Sequence, residues 1–307
     1  MLSLFINFDM LIVITTEEFM KKIAIITDDN AGFTPQELKE LGIYAIKMPV
    51  IVDGVTKYQN EQFSEEDFYN CMSKDADIRT SQPAPGQIIE LWEELLKTYD
   101  QIVQIPMSSG LSEECHNSIG LSASYPGKVF VADNHRVSVS LKQSVYDAIK
   151  LRDEGKSAEE IVAILNKEAH ESTIYIMVDT LKYLKKGGRV TPAGAAIGSV
   201  LHVKPVLSIF GEKLDAYKKA VGSKKAKQIM IDAIKHDVQT KFKDIPYENL
   251  SFAMAYTHNL DDALELKKEF ATALNIKEED IMIDPLSLSV ATHIGPGALA
   301  LALTKKL

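Results

Sequence analysis

The feature that most constrains the fold is a repeated order of buried strand, polar turn and helix. Short apolar runs at residues 23–26, 101–105 and 128–132 each end in polar residues and lead into segments with apolar residues at helical spacing. Strands that alternate with helices in this way form parallel sheets with helices packed on their faces. We therefore predict an α/β fold built from mostly parallel sheets flanked by helices.

The length of the chain, 307 residues, is enough for about two domains or one large one. We place the domain change near residues 168–173 and predict α/β domains over 20–172 and 173–307. Residues 1–19 are predicted to be an N-terminal extension. Their apolar pieces are too short to span a bilayer, and they lack a signal-peptide cleavage site.

The composition narrows the class of partner and the compartment. A hydrophobic content of 46%, a charged content of 25% and a formal net charge of −9 indicate an acidic globular protein. Nucleic acid is not an expected partner, because phosphate binding needs clustered Lys and Arg, and stable membrane insertion is not expected either. The two cysteines, Cys71 and Cys115, have no metal or redox spacing, which favours a reducing cytoplasm.

Two hydroxyl-rich loops are candidate anion sites. Thr80 and Ser81 precede a proline-rich break and a helix, and Ser108, Ser109 and Ser112 follow a short strand. Ligands of open parallel sheets lie beyond the carboxyl ends of the strands, where hydroxyls and helix N-termini hold anions. The alternative for the first loop is an ordinary Ser/Thr turn before a helix.

A third candidate is a histidine beside a Gly-Pro-Gly turn. His293 could supply a proton or a positive charge near Gly295, or it could simply cap the turn. No paired metal-ligand spacing and no phosphate-binding glycine-lysine loop occurs in the sequence, so neither a metal nor a nucleotide cofactor is expected. A serine nucleophile within 108–112 stays open, although the glycine-flanked elbow of serine hydrolases is missing.

Taken together, these motifs resemble the DegV family. The resemblance rests on five segments in the family's order: 80–83, 108–112, 179–189, Lys204-Pro205 and 293–297. DegV-like proteins are similar to the fatty-acid-binding subunits of bacterial fatty acid kinase. The resemblance implies two α/β domains with a long-chain fatty acid held between them. It also implies a separate ATP-dependent kinase subunit, to which the binding protein presents the fatty acid for acyl-phosphate formation.

The resemblance further implies roles for individual residues. Thr80, with Ser81 beside it, is expected to donate to the fatty acid carboxylate, and Ser112 or its neighbours Ser108 and Ser109 to supply a second donor. His293, next to Gly295, is expected to approach the same head group. The protein itself would not be a catalyst. A serine-dependent hydrolase and a carrier of another amphiphile are the alternatives.

The sequence departs from the family's pattern at three places. Glu113 and Glu114 stand where Gly-Thr is common, and 221–223 lacks an arginine that often precedes Lys-Lys-Ala. After Asp133 the chain reads Asn-His-Arg instead of the expected serine and glycines. Two acids near the head group would disfavour an anion if they point inward, and the departures leave docking of a kinase subunit open.

Overall fold

A computed structural model describes residues 21–61, 63–196 and 203–307 of the chain. The strands are β1 (Ile23–Asp28), β2 (Tyr44–Ile46), β3 (Val50–Val52), β4 (Val55–Lys57), β5 (Ile78–Thr80), β6 (Gln101–Ile105), β7 (Val129–Val131), β8 (Ser172–Met177), β9 (Val203–Ile209), β10 (Asp215–Val221), β11 (Leu250–Tyr256), β12 (Ile281–Pro285) and β13 (Leu299–Lys305). The α-helices are α1 (Pro35–Leu41), α2 (Glu65–Ser73), α3 (Pro85–Leu95), α4 (Glu114–Ser122), α5 (Val139–Asp153), α6 (Ala158–Lys167), α7 (Lys182–Gly187), α8 (Pro192–Ala196), α9 (Ser223–Gln239), α10 (Leu260–Leu274) and α11 (Leu288–Ile294).

The first sheet is parallel and has four strands in the order β2-β1-β6-β7. Every residue of β1 and β6 is buried, as expected for central strands covered on both faces. One face packs on Trp92 of α3, which is fully buried and donates its indole N–H to Gln104 over 2.8 Å. The other face meets α5 and α6.

The second sheet has six strands in the order β10-β9-β8-β13-β11-β12. Only β11 and β12 pair in parallel within it, and the other neighbours are antiparallel. Helix α5 contacts both this sheet and the first one, so it is shared between them. Helices α9 and α10 cover the opposite face through a second apolar core that contains Met230 and Phe270.

A small antiparallel sheet, β4-β3-β5, carries the predicted hydroxyl loop. Thr80 is the last residue of β5 and pairs with Val50 of β3. Helix α11 packs on β3 and β5, with Leu288 and Ala291 in a common core with Phe68. This contact brings together segments that are more than 200 residues apart in the sequence.

Helix boundaries follow the local signals in the sequence. Thr34, Ser64 and Ser157 cap α1, α2 and α6, each with a capping box completed by an acid three residues later. Gly42 and Gly188 end α1 and α7 in the left-handed conformation that glycine adopts without strain.

The α/β class is confirmed, with differences in detail. The second sheet is mostly antiparallel, although mostly parallel sheets were expected. The short turn between β9 and β10 allows only antiparallel pairing of these two strands, and β13 runs antiparallel to both of its neighbours. The tail after Gly297 forms β13, between β8 and β11 of that sheet. Strands β2 and β3 are close in sequence but belong to different sheets.

The domain boundary at 172/173 stays a prediction. Strands β1 to β7 belong to the first and the small sheets, and β8, which begins at Ser172, opens the six-stranded sheet. The predicted N-terminal extension lies outside the described residues. Among the helices within the described ranges, none combines the length and the apolar character that a membrane crossing needs.

Candidate ligand-binding site

A cavity of about 220 Å³ lies where the three sheets and α5 meet. Most of its walls are aliphatic. The six-stranded sheet contributes Ile174, Ile176, Ile209, Ala255 and Ala300. Ala255 of β11 and Ala300 of β13 are direct cross-strand partners, so two small side chains leave space at one point of the wall. Aliphatic walls of this kind suit an apolar ligand.

The polar residues of the cavity include a hydrogen-bonded pair whose members are 213 positions apart in the sequence. Thr80 Oγ1 lies 2.8 Å from His293 Nε2. Ser81 and Ser112 also line the cavity, and Ser112 accepts from the backbone N–H of Glu114 over 3.3 Å. The structure therefore brings four of the predicted site residues to one cavity. Their roles toward a ligand stay predictions.

The other predicted site residues lie outside the cavity wall. Ser108 is fully buried and donates its hydroxyl to the carbonyl of Gly211. The backbone N–H of Ser109 donates to Asp133 Oδ1 over 3.3 Å. Gly295 accepts from the Thr257 hydroxyl over 2.8 Å. These three residues hold the framework around the cavity.

His293 is packed against a glycine of the Gly-Gly-Arg segment. A β-carbon on Gly187 would lie 2.0 Å from His293 Nδ1, so any side chain there would displace the imidazole. Burial, and then the positive charge of Arg189, lower the pKa of His293 to about 4. A lowered pKa favours the neutral imidazole near neutral pH, and the role of His293 toward a ligand stays a prediction.

Arg189 is a cavity residue that the sequence reasoning missed. Among the described lining residues it is the one permanently charged cation. Its Nη1 donates to the carbonyl of Gly187 over 2.6 Å, and its Nε to that of Leu111 over 3.3 Å. It thus ties the second hydroxyl loop to the end of α7. Its position after Lys-Lys-Gly-Gly is typical of a helix terminus, and this pattern does not show its place in the cavity.

The two acids that replace Gly-Thr do not both face the cavity. Glu113 lines it, with its side chain 78% exposed and its carboxylate 3.5 Å from His116. Glu114 is buried away from the lining, and neither carboxyl oxygen has a hydrogen-bond partner among the described residues. Burial, with the nearby charges of Asp28 and Asp29, raises the pKa of Glu114 well above its usual value.

Asp28 and Asp29 hold the backbone at two points of the cavity wall. Asp28 Oδ2 accepts from the N–H of Met107 over 2.6 Å, and Asp29 Oδ2 from that of Met48 over 3.0 Å. Both methionines line the cavity. Burial raises the pKa of Asp28 to about 6 and that of Asp29 to about 8. The two acids at the end of β1 therefore hold the backbone of the loops that contain Met48 and Met107. From the sequence alone they are only polar residues that follow a strand.

The fold and the cavity define an α/β protein with a largely aliphatic cavity that carries a polar cluster. The model of the family described as "Uncharacterised protein, DegV family" matches residues 22–306. The chain belongs to the DegV family.

Relatives and solved structures agree with this assignment. DegV domain-containing protein lmo2514 of Listeria monocytogenes is 30% identical over 288 residues, which cover 92% of this chain and 98% of that protein. The fatty acid binding DegV family protein SAG1342 from Streptococcus agalactiae is 25% identical, with a TM-score of 0.82 over 94% of this chain and 100% of its own. DegV from Bacillus subtilis, a fatty acid binding protein, is 26% identical, with a TM-score of 0.79 over 93% and 100%.

Proposed function

We propose that this protein binds a long-chain fatty acid, with the acyl chain in the aliphatic cavity and the carboxylate at Thr80, His293 and Arg189. The observation that carries the proposal is the Thr80–His293 pair beside the Arg189 cation, in a cavity whose other walls are mainly aliphatic. Each buried CH₂ contributes about 0.8 kcal/mol, and a carboxylate needs only a few good donors. The solved fatty-acid-binding relatives support the same ligand class.

The hydrogen bonds imply one tautomer of His293. Thr80 has a single hydroxyl proton, so it can donate to a carboxylate only if its oxygen accepts from His293 Nε2–H. Neutral His293 would then carry its proton on Nε2 and leave Nδ1, which faces Gly187, without one. Arg189 supplies the positive charge, and Ser81 and Ser112 are further hydroxyls on the cavity wall.

The proposal is tested at Thr80. Thr80→Val keeps the shape of the side chain and removes the hydroxyl, so fatty acid affinity should fall roughly ten- to a hundredfold, the value of a hydrogen bond to a charged group. Thr80→Ser keeps the donor and serves as the matched control. Affinity is measured with a fluorescent fatty acid, and a thermal melt of the same sample checks folding. Unchanged affinity in Thr80→Val would place the carboxylate elsewhere.

The ligand class has its own test. Denaturing extraction of purified protein, followed by mass spectrometry, should recover a long-chain fatty acid at near one equivalent. Protein that carries no lipid and takes up no added oleate or palmitate would contradict the proposal. A different amphiphile in the extract would support the alternative carrier function.

We further propose that the protein presents the bound acid to a separate kinase subunit and does no chemistry itself. This step rests on the family resemblance. The hydrolase alternative has less support, because Ser108 is engaged by Gly211 and His293 contacts a threonine instead of a serine. With the kinase subunit of a bacterial fatty acid kinase, ATP and palmitate, the protein should promote acyl-phosphate formation. No product above the kinase-only control would count against presentation.

A further inference from the structure

A second polar point in the cavity lies at the start of α5. Val137, Ser138 and Val139 all line the cavity, and Ser138 is only 7% exposed. Within the described ranges its hydroxyl makes no hydrogen bond with another residue. Two neighbouring serines differ in this respect: Ser140 donates to the Val137 carbonyl over 2.8 Å, and Ser289 donates to Asn30 Oδ1. Ser138 thus presents a hydroxyl without a protein partner among the described residues to a mainly aliphatic cavity.

The N-terminus of α5 adds to this donor. The helix is 15 residues long, and Ser138 occupies its N-cap position without making a side-chain cap. No acid stands in its first turn. The N–H groups of Val139 and Ser140 have no hydrogen-bond partner in the part of the chain that the structure describes. A helix N-terminus carries a partial positive charge, so hydroxyl and backbone together attract an oxygen with free lone pairs.

The backbone at Ser138 adopts a strained conformation. Its φ is 54° and its ψ is −134°, a region that residues other than glycine rarely adopt. Strain of this kind persists where the surrounding structure enforces it, and it concentrates at binding sites. Here it accompanies a serine whose hydroxyl is left without a protein partner.

We propose that Ser138 and the N-terminus of α5 form a subsite for an oxygen on the acyl chain, so that the protein prefers a hydroxylated or oxo fatty acid. The inference rests on the proposed fatty acid function and deepens it. The donors at this subsite are neutral, which suits a hydroxyl or a keto oxygen. The nearest lysine of the helix, Lys142, is already engaged by Glu37 and Asp284. A carboxylate is better served by Arg189 and the Thr80–His293 pair.

The test compares stearate with 3-, 10- and 12-hydroxystearate by displacement of a fluorescent fatty acid. Wild-type protein should bind at least one hydroxystearate about three- to tenfold more tightly than stearate, the range expected for one net hydrogen bond. Ser138→Ala should reduce that preference below twofold and leave stearate as tight or tighter. Ser138→Gly also removes the hydroxyl, and it relieves the positive φ, so it keeps the test valid if the alanine variant folds poorly.

Ser289→Ala is the matched control, because Ser289 lines the cavity with a hydroxyl that is already used, and this variant should retain the preference. The inference is overturned if no hydroxystearate is preferred, or if the preference survives both Ser138 variants. It is also overturned if these variants weaken stearate and hydroxystearates equally, because Ser138 would then hold the carboxylate. If wild-type protein binds none of the four acids, the proposed function fails as well.

Discussion

The two parts of the cavity are built in different ways. The polar part comes from loops and short elements that are distant in sequence, with Thr80, Ser112, Arg189 and His293 contributed by four separate segments. The aliphatic part comes mainly from neighbouring strands of one sheet, where Ala255 and Ala300 sit side by side. The polar part depends on single hydrogen bonds, whereas the aliphatic part depends on the volume that paired side chains leave empty.

This difference predicts how each part responds to mutation. A polar change alters the binding of every fatty acid by the value of one hydrogen bond, whatever the length of the chain. A volume change in the aliphatic part acts in proportion to the acyl carbons that are displaced, so its effect depends on chain length. Head-group recognition and chain selection are therefore separable, and the three predictions below test that separation.

The largest effect is expected from filling the aliphatic part. Ala300→Leu adds three carbons at the cavity wall. Displacing three acyl methylenes at about 0.8 kcal/mol each lowers stearate affinity about fiftyfold. Dodecanoate, which needs less of the cavity, should lose far less, and both are measured by displacement of a fluorescent fatty acid.

Ala216→Leu is the matched control for this prediction. Ala216 is a partly buried alanine of the edge strand β10 that does not line the cavity, so its replacement should leave stearate affinity nearly unchanged. Equal losses for stearate and dodecanoate in Ala300→Leu would mean that the acyl chain does not pass this wall.

The same division explains which residues the sequence could predict. Thr80, Ser112 and His293 stand in short motifs whose chemistry is visible in the chain itself. The sequence does not show that Ala255 and Ala300 line a cavity, because the space beside them forms only when β11 and β13 pair. Strand β13 is not recognisable as a half-buried strand in the sequence. Its alanines and leucines are buried on both faces and therefore show no alternation.

Charged residues were harder to place than hydroxyls. In the sequence, Arg189 follows a pattern typical of a helix end. Glu114 is one of the two acids that stand near the expected head group. In the structure, Arg189 enters the cavity wall and Glu114 is buried beside the acids that end β1. Burial of a charged side chain follows from long-range packing, which a single sequence does not show.

An intermediate effect is expected at His293. Its pKa of about 4 keeps the imidazole neutral from pH 6 to 8, so His293→Ala should lower fatty acid affinity by the same factor, about tenfold, across that range. Titrations at pH 6, 7 and 8 measure this factor. His116→Ala, an exposed histidine on α4, should change nothing. A loss that grows toward pH 6 would show that a bound carboxylate charges the imidazole.

The smallest effect on binding, and the clearest on stability, is expected at Glu114. Its pKa is raised in the folded protein, so the native state holds a proton that the unfolded chain releases above its ordinary pKa near 4.5. Stability is therefore fully present below that pH and is lost as the pH rises toward the folded value. Glu114→Gln removes the ionisable group, and its melting temperature should exceed that of the wild type at pH 8, and by much less at pH 5.

Fatty acid affinity separates Glu114 from the polar residues that face the cavity. Because Glu114 does not line it, affinity in Glu114→Gln should stay within about threefold of the wild type, a small change beside one lost hydrogen bond to a charged group. Glu113→Gln is the control, since that exposed neighbour should shift the melting temperature little at either pH. A lower melting temperature for Glu114→Gln at pH 8 would mean that the ionised carboxylate is stabilised by a partner. A large loss of affinity with normal stability would place Glu114 among the residues that meet the ligand, and the division between loop-holding acids and ligand-facing donors would fail.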